Sequence, residues 1–329
     1  MSFEINRMTA RTCSMLGQRG AIFGMAALEM AKNDPKFILL TADLATLSGM
    51  DRYTKQFPDQ FVNVGIAEQN MIGISAGLAA EGYHPAATTY ATFVTMRACE
   101  QIRHFLGYMN LGITVLGSGA GLSQGFAGNT HYTIEDISMM RAIPGLTIFS
   151  PADAASAVCI FNLAMESQKP VYIRLTGGLN CPMVYKESAE FSIGGSNKLR
   201  EGDDVSIFAC GTMVDLALKA AKLLDEKGIS AEVVDMYCLK PVDRSAIEGS
   251  RGKKLVVSIE EHNKMGGLGS IIGETLSEGR DFPPLLRLGI EDTFNLAGDP
   301  QNLLEQNRLT PETVTEDILK VLSSLSAQS

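Results

Sequence analysis

Short apolar runs alternate with longer helical stretches along most of this chain. Phe37–Thr41, residues 86–89, residues 113–116, residues 146–149 and Val171–Leu175 are compact runs rich in Ile, Leu, Val and Ala, and each reads as a buried strand. Residues 20–31, 67–80, 96–108, 134–141 and 152–166 have the length and content of helices, the first ended by Asn33-Asp34-Pro35. This alternation is the mark of parallel α/β architecture, so the pattern predicts α/β domains, doubly wound, with mostly parallel sheets. Between 177 and 200 the rhythm breaks into glycines, Pro182 and mixed charge. It then restarts, with strands predicted at Val205–Ala209, Ala231–Asp235, 254–259 and 285–288. A helix is predicted at 214–225 and another after Gly266-Gly267-Leu268-Gly269. Thr310-Pro311-Glu312 opens the last helix, a capping hydroxyl before a proline at the first helical position. The expected organisation is a first domain over 1–180, a linker over 181–200 and a second domain over 201–329.

Composition narrows the function without naming it. The 329 residues suffice for two real cores, and 45% hydrophobic with 20% charged residues describes an ordinary globular chain. A net charge of -9 disfavours nucleic acid and anionic membranes as partners, since both select clustered Lys and Arg. An anionic small molecule is not excluded, because a pocket's local charge can oppose the global sign. The six cysteines are scattered with no C-x-x-C pair, which argues against a zinc site or disulfide scaffold and suits a reducing compartment. Residues 21–31 carry Glu29 and read as a helix rather than a signal segment. No apolar run approaches the ~20 residues of a membrane span. A cytoplasmic location is expected.

The chemistry concentrates between Leu40 and Arg174. Asn63-Val64-Gly65-Ile66-Ala67-Glu68-Gln69-Asn70-Met71 sets a carboxylate at the start of a small-residue helix. Taken alone, Glu68 is a good helix-dipole acid, a role contributing about 0.3–1 kcal/mol. Downstream, Tyr90, Phe93 and Met96 recur every three residues and would form one apolar wall in a helical turn. By itself such a stripe is ordinary core.

Together with Leu40-Thr-Ala-Asp43, Gly128-Asn-Thr-His131, Arg141-Ala-Ile-Pro144 and Ser150-Pro-Ala-Asp153, these segments resemble the pyrimidine-binding domain of the transketolase family. That family includes deoxyxylulose-phosphate synthase and the β subunits of 2-oxoacid dehydrogenases. Glu260-Glu-His262 followed by Gly266-Gly-Leu-Gly269 resembles the family's C-terminal domain, so the likeness spans nearly the whole chain, with its motifs in order. The resemblance implies thiamine diphosphate as cofactor. Glu68 matches the glutamate that hydrogen-bonds the aminopyrimidine ring and activates the cofactor. Ile66, Tyr90, Phe93 and Met96 match the pocket around that ring, and Asp43 an aspartate nearby, with a turn or capping role as its alternative. His131 matches an active-site histidine that contacts substrate oxygens, the alternative being a satisfied loop histidine.

Family members that hold the whole cofactor carry a Gly-Asp-Gly motif followed downstream by an asparagine, which bind Mg²⁺ and the diphosphate. Gly202-Asp203-Asp204 and Gly298-Asp299-Pro300 do not reproduce it. The resemblance therefore implies a partner subunit that carries the diphosphate and Mg²⁺ site, in an α2β2 assembly. The family's sugar-phosphate grip is also altered. Arg19 keeps one arginine, whereas other gripping positions fall on Leu47, Gly119, Ala127 and Gly177. Arg97, Arg103 and Arg174 are candidates for a replacement anion site, each with a structural ion pair as its alternative role. The expected activity is transfer of a two-carbon ketol or acyl unit between small carbonyl substrates. Two other readings stay open: the β subunit of a 2-oxoacid dehydrogenase or decarboxylating acyl transferase, and a non-catalytic scaffold. The C-terminal unit is expected to serve dimer packing, with His262 near that interface.

Overall fold

The structure, a computed structural model, describes residues 3–279 and 283–327. Its strands are β1 (Phe37–Thr41), β2 (Phe61–Asn63), β3 (His84–Tyr90), β4 (Thr114–Ser118), β5 (Thr147–Phe149), β6 (Val171–Leu175), β7 (Asn197–Arg200), β8 (Val205–Ala209), β9 (Ala231–Asp235), β10 (Cys238–Lys240), β11 (Leu255–Asn263) and β12 (Leu285–Ile290). Among the described residues they build a seven-stranded sheet in the order β10-β5-β6-β4-β3-β1-β2 and a five-stranded sheet in the order β12-β11-β8-β9-β7. Every pairing is parallel except β10 with β5 and β7 with β9. The chain is thus an α/β protein with two mostly parallel sheets, as the alternating pattern predicts.

The central strands β1, β4, β6, β8 and β9 are buried along their whole length, because helices cover both faces of each sheet. Helix caps agree with the local sequence. Asp153 accepts from Ser156 N and opens the helix Ala154–Ser167, while Thr310 accepts from Thr313 N and opens Pro311–Ser326. Three strands lie outside the sequence expectation. β2 and β10 are three residues long, and β7 is a polar edge strand inside the segment read as linker. No described helix is long and apolar enough to cross a membrane.

Two features of this architecture position the site. In the first sheet, β1 connects outward to β2, whereas β3 lies on the other side of β1 and leads on toward β4. The connections diverge there, so the carboxyl ends of β1 and β3 flank the crevice where open α/β sheets bind ligands. The second feature is how tightly the two sheets are joined. β10 follows β9 in sequence yet pairs antiparallel with β5 of the first sheet, Cys238 opposite Phe149. From β6, Arg174 reaches across the seam: its Nε lies 2.8 Å from Asp136 Oδ2 and its Nη2 donates to Glu261 O at 2.8 Å. The intervening segment is held by Asp153, whose Oδ2 accepts from Val184 N and Tyr185 N at 2.8 Å, while the Tyr185 hydroxyl donates to Asp235 Oδ2 at 2.6 Å.

Candidate active site

The loop after β1 turns at Asp43, whose φ of 60 is in the left-handed region that Asp tolerates. Its N–H donates to Asn63 Oδ1 at 3.0 Å, and the same oxygen accepts from Gly65 N at 3.0 Å. The second bond closes an Asx turn at the end of β2. Ala67 then delivers Glu68 as the first residue of the helix Glu68–Ala80. This places the carboxylate at a helix N-terminus, where the dipole favours it, and leaves the residue only 2% exposed. Arg97 Nη1 donates to both of its oxygens, each at 2.8 Å. The Arg97 side chain is 47% exposed, and its guanidinium carbon lies 4.3 Å from the centroid of the Phe93 ring. Phe93–Arg97 is a π-type turn closed by Ala98 N donating to Phe93 O at 3.3 Å. An i→i+5 turn brings residues four apart nearly into line, which sets Arg97 over Phe93; such turns are frequent at functional sites. Gln69 Nε2 donates to Arg97 O at 3.1 Å and fixes the backbone beneath.

Three of the expected site residues meet as one aromatic group. The Tyr90 ring, at the end of β3, lies 5.9 Å from Phe93, and the His131 ring lies 5.9 Å from Tyr90 and 5.5 Å from Phe93, all edge-on. The Thr130 hydroxyl sits 2.9 Å from His131 Nδ1. Met96 and Ile66 are more open to solvent. Met96 is 40% exposed and Ile66 76% exposed, and the Met96 sulfur is 3.9 Å from the Thr92 hydroxyl. The three-residue spacing does not lie on one helix, because Tyr90 still belongs to β3. Asn63 and Gln69, which hold Asp43, Gly65 and Arg97, were not singled out from the sequence, although an Asn two residues before a Gly is a readable turn signal. Exposed apolar side chains ring the same edge of the sheet: Leu47 after β1, Ile66 after β2, Phe126 after β4 and Leu179 after β6.

The candidate cations divide. Arg19 has a buried Nη1 with no hydrogen-bond partner among the described residues. Arg174 is fully buried and spent on Asp136 and the Glu261 carbonyl, so it cannot serve as the anion site considered from sequence. Arg103 is exposed.

Behind the crevice, along β11, lies a group of fully buried ionisable residues. Burial pushes Glu260 up to about 7, against the Leu268 and Gly269 N–H groups that bond its oxygens at 2.6 and 2.8 Å. Glu261 is likewise pushed up to about 7 by burial, against the opposing pull of Arg174; its Oε1 accepts from Leu122 N at 2.5 Å and its Oε2 from the Thr212 hydroxyl at 3.1 Å. His262 is buried and lowered to about 4 by desolvation, with Nδ1 2.7 Å from Asn263 O and Nε2 3.4 Å from Ser138 N. His262 is therefore buried within the chain, where both ring nitrogens have partners.

Residues 18–181 match the transketolase pyrimidine-binding domain, and residues 194–314 match the transketolase C-terminal domain. The 6-deoxy-6-sulfo-D-fructose transketolase subunit SqwH of Clostridium sp. (strain MSTE9) is 39% identical over 290 residues, covering 87% of this chain and 89% of that protein. An apulose-4-phosphate transketolase subunit of Phocaeicola vulgatus is 36% identical over 295 residues, covering 89% of this chain and 94% of its own length. Among solved structures, a chain described as a split gene transketolase, inactive β4 tetramer, is 40% identical and superposes with a TM-score of 0.83 over 93% of this chain and 98% of its own.

Proposed function

This chain belongs to the transketolase family through both of its domains, and on that premise we propose that it is the ring-gripping subunit of a split thiamine-diphosphate enzyme. The observation that carries the reading is the buried Glu68 carboxylate beside the Tyr90–Phe93–His131 group at the diverging ends of β1 and β3. This donor set fits an aromatic ring that bears a basic nitrogen: one carboxylate to share a proton, and flat apolar edges to exclude water. Ile66, Glu68, Tyr90, Phe93 and Met96 would hold the ring, with Asp43 nearby. When bound, the cofactor supplies the carbon nucleophile that carries the transferred two-carbon unit. Glu68 holds a proton against the ring nitrogen. Tyr90 and Phe93 fix the plane of the ring, and His131 bonds or exchanges protons with substrate oxygens. The unpartnered Arg19 Nη1, together with Arg97, suits an anionic group on the substrate. Relatives named for a sulfonated and a phosphorylated sugar support an anionic ketose or aldose as the substrate class.

The diphosphate and its Mg²⁺ are assigned to a partner. Among the described residues, no group of three or more His, Cys, Asp or Glu side chains is placed to hold a metal ion, and the Gly-Asp-Gly motif is missing from the sequence. The apolar side chains along the site edge are suited to burial against that partner in an α2β2 assembly. A similar chain described as an inactive β4 tetramer supports the view that this half assembles without being active alone.

The test is calorimetric titration of thiamine diphosphate with Mg²⁺ into this chain alone and then into its mixture with a partner carrying the diphosphate motif. Binding only in the mixture is expected, and tight binding by the isolated chain would overturn the split reading. In the assembled enzyme, Glu68→Gln should lower turnover by roughly 10²–10⁴-fold while cofactor binding persists.

A further inference from the structure

The segment from Ser118 to Tyr132 carries His131, and it is fastened along its length to the C-terminal domain. Leu122 N donates to Glu261 Oε1 at 2.5 Å, Gly298 N donates to Gly125 O at 3.0 Å, and just beyond the segment Asn263 N donates to Ile134 O at 2.8 Å. Closest to His131, two groups converge on one carbonyl: Asn129 Nδ2 donates to Asn295 O at 2.7 Å and the Tyr132 hydroxyl at 3.2 Å. The single Tyr132 proton is shared with Asn129 Oδ1, so the hydroxyl bridges Asn129 and Asn295. The approach is close enough to need glycines. A Cβ on Gly121 would meet Glu261 Cδ at 2.5 Å, and one on Gly125 would meet Gly298 O at 2.6 Å. Asn295 is anchored in turn, because Asn307 Nδ2 donates to its Oδ1 at 2.7 Å and to Leu303 O at 2.7 Å. A path of hydrogen bonds thus runs from the end of the helix Pro300–Gln306 through Asn295 to the residues on either side of His131.

We propose that the C-terminal domain acts as the frame of the candidate site, with Asn295 the positioning residue that aims His131 and with Glu261 and Gly298 fixing the rest of the loop. The proposal rests on the reading of His131 as a substrate-contacting group. The rings of Tyr90 and Phe93 abut His131 on one side, and Asn295 fixes the loop through Asn129 and Tyr132. The path is only partly buried, yet its partners are discrete, and a path of discrete hydrogen bonds transmits a displacement that a loose loop would absorb. The role is positional, since the hydrogen bonds of Asn295 among the described residues go to Asn129, Tyr132 and Asn307 rather than to His131.

The chain has four histidines, so ¹³C-histidine NMR of the full chain reports each ring, with His131→Gln assigning the signal. Asn307→Ala releases Asn295 from the far side, and Tyr132→Phe removes one of its bonds to the loop. Both variants should shift or split the His131 signal and leave those of His84 and His104 in place. An unmoved His131 signal in both variants would overturn the frame. In the assembled enzyme, with hydroxypyruvate as the probe donor, the same variants should raise KM about tenfold while cofactor affinity holds within about twofold, as expected for a lost hydrogen bond or two. If the His131 signal moves and KM does not, the frame stands and the substrate role of His131 fails.

Discussion

Arg97 places one nitrogen, Nη1, 2.8 Å from each oxygen of Glu68, so a single guanidinium corner neutralises a carboxylate that water scarcely reaches. The ring nitrogen assigned to Glu68 and this guanidinium want the same oxygens. Arg97→Met should therefore act in two directions. The free chain should lose about 1–3 kcal/mol, at the lower end because Arg97 is half exposed. In the assembled enzyme the cofactor should bind no more weakly than before. Thermal denaturation of the chain and calorimetry of the complex read the two effects, and weaker cofactor binding would mean that Arg97 holds the cofactor instead of competing with it.

The Arg174–Asp136 pair is buried at both ends, with the Tyr172 hydroxyl also bonded to Asp136 Oδ2 at 2.8 Å. Removing one member of such a pair strands the other charge, so Arg174→Met should cost about 3–5 kcal/mol in urea unfolding. Replacing both, as in Arg174→Met with Asp136→Leu, should recover most of that loss. A double variant as unstable as the single one would show that the pair itself is strongly stabilising.

Stability should fall as pH rises through neutrality. Glu260 and Glu261, raised to about 7, and Asp235, raised to about 8, hold protons in the folded state that the unfolded chain releases near its ordinary carboxylate pKa. Their contribution is complete below that ordinary pKa and is lost as pH climbs to between 7 and 8. His262, lowered to about 4, acts oppositely and destabilises the fold as pH falls from its ordinary value of 6.5 toward 4. Glu261→Gln keeps an acceptor for Leu122 N and should flatten the fall between pH 5 and 8. Melting curves across that range check it, and an unchanged slope would place the titration elsewhere.

Two glycine substitutions should have opposite signs. Gly121 has a φ of +64, and an added Cβ would meet Glu261 Cδ at 2.5 Å, so Gly121→Ala should destabilise by about 1–3 kcal/mol. Gly24 lies in a helical stretch with nothing within 4 Å of an added Cβ, and Gly24→Ala should gain about 0.5–1 kcal/mol. Chemical denaturation of both variants distinguishes them.

Most of the architecture is readable from apolar runs. Phe37–Thr41, Val171–Leu175, Val205–Ala209 and Ala231–Asp235 appear as strands with the predicted bounds, because strands buried on both faces are mostly apolar, with Arg174, Glu232 and Asp235 as buried exceptions that have polar partners. β2, β7 and β10 were unreadable because they are short edge strands completed by their neighbours. At the site, Glu68, Tyr90, Phe93 and His131 were legible as candidates, but their mutual geometry was not. A π-type turn, not helical spacing, brings Arg97 onto Phe93 and Glu68, and periodicity carries no sign of such a turn. Arg174 illustrates the same gap, since its burial depends on a strand from the other sheet.

Cys238–Lys240, the strand that caps β5, has a consequence for how the protein is made. Translation delivers β1 to β6 long before residue 238 emerges, so the nascent first sheet carries an uncapped edge while the whole linker and β7 to β9 of the second sheet are still being synthesised. An open edge of this kind is where strands of neighbouring chains pair wrongly. A gene fragment ending in the linker would leave that edge bare permanently, so the first practical boundary for an excised ring-binding domain lies beyond Lys240.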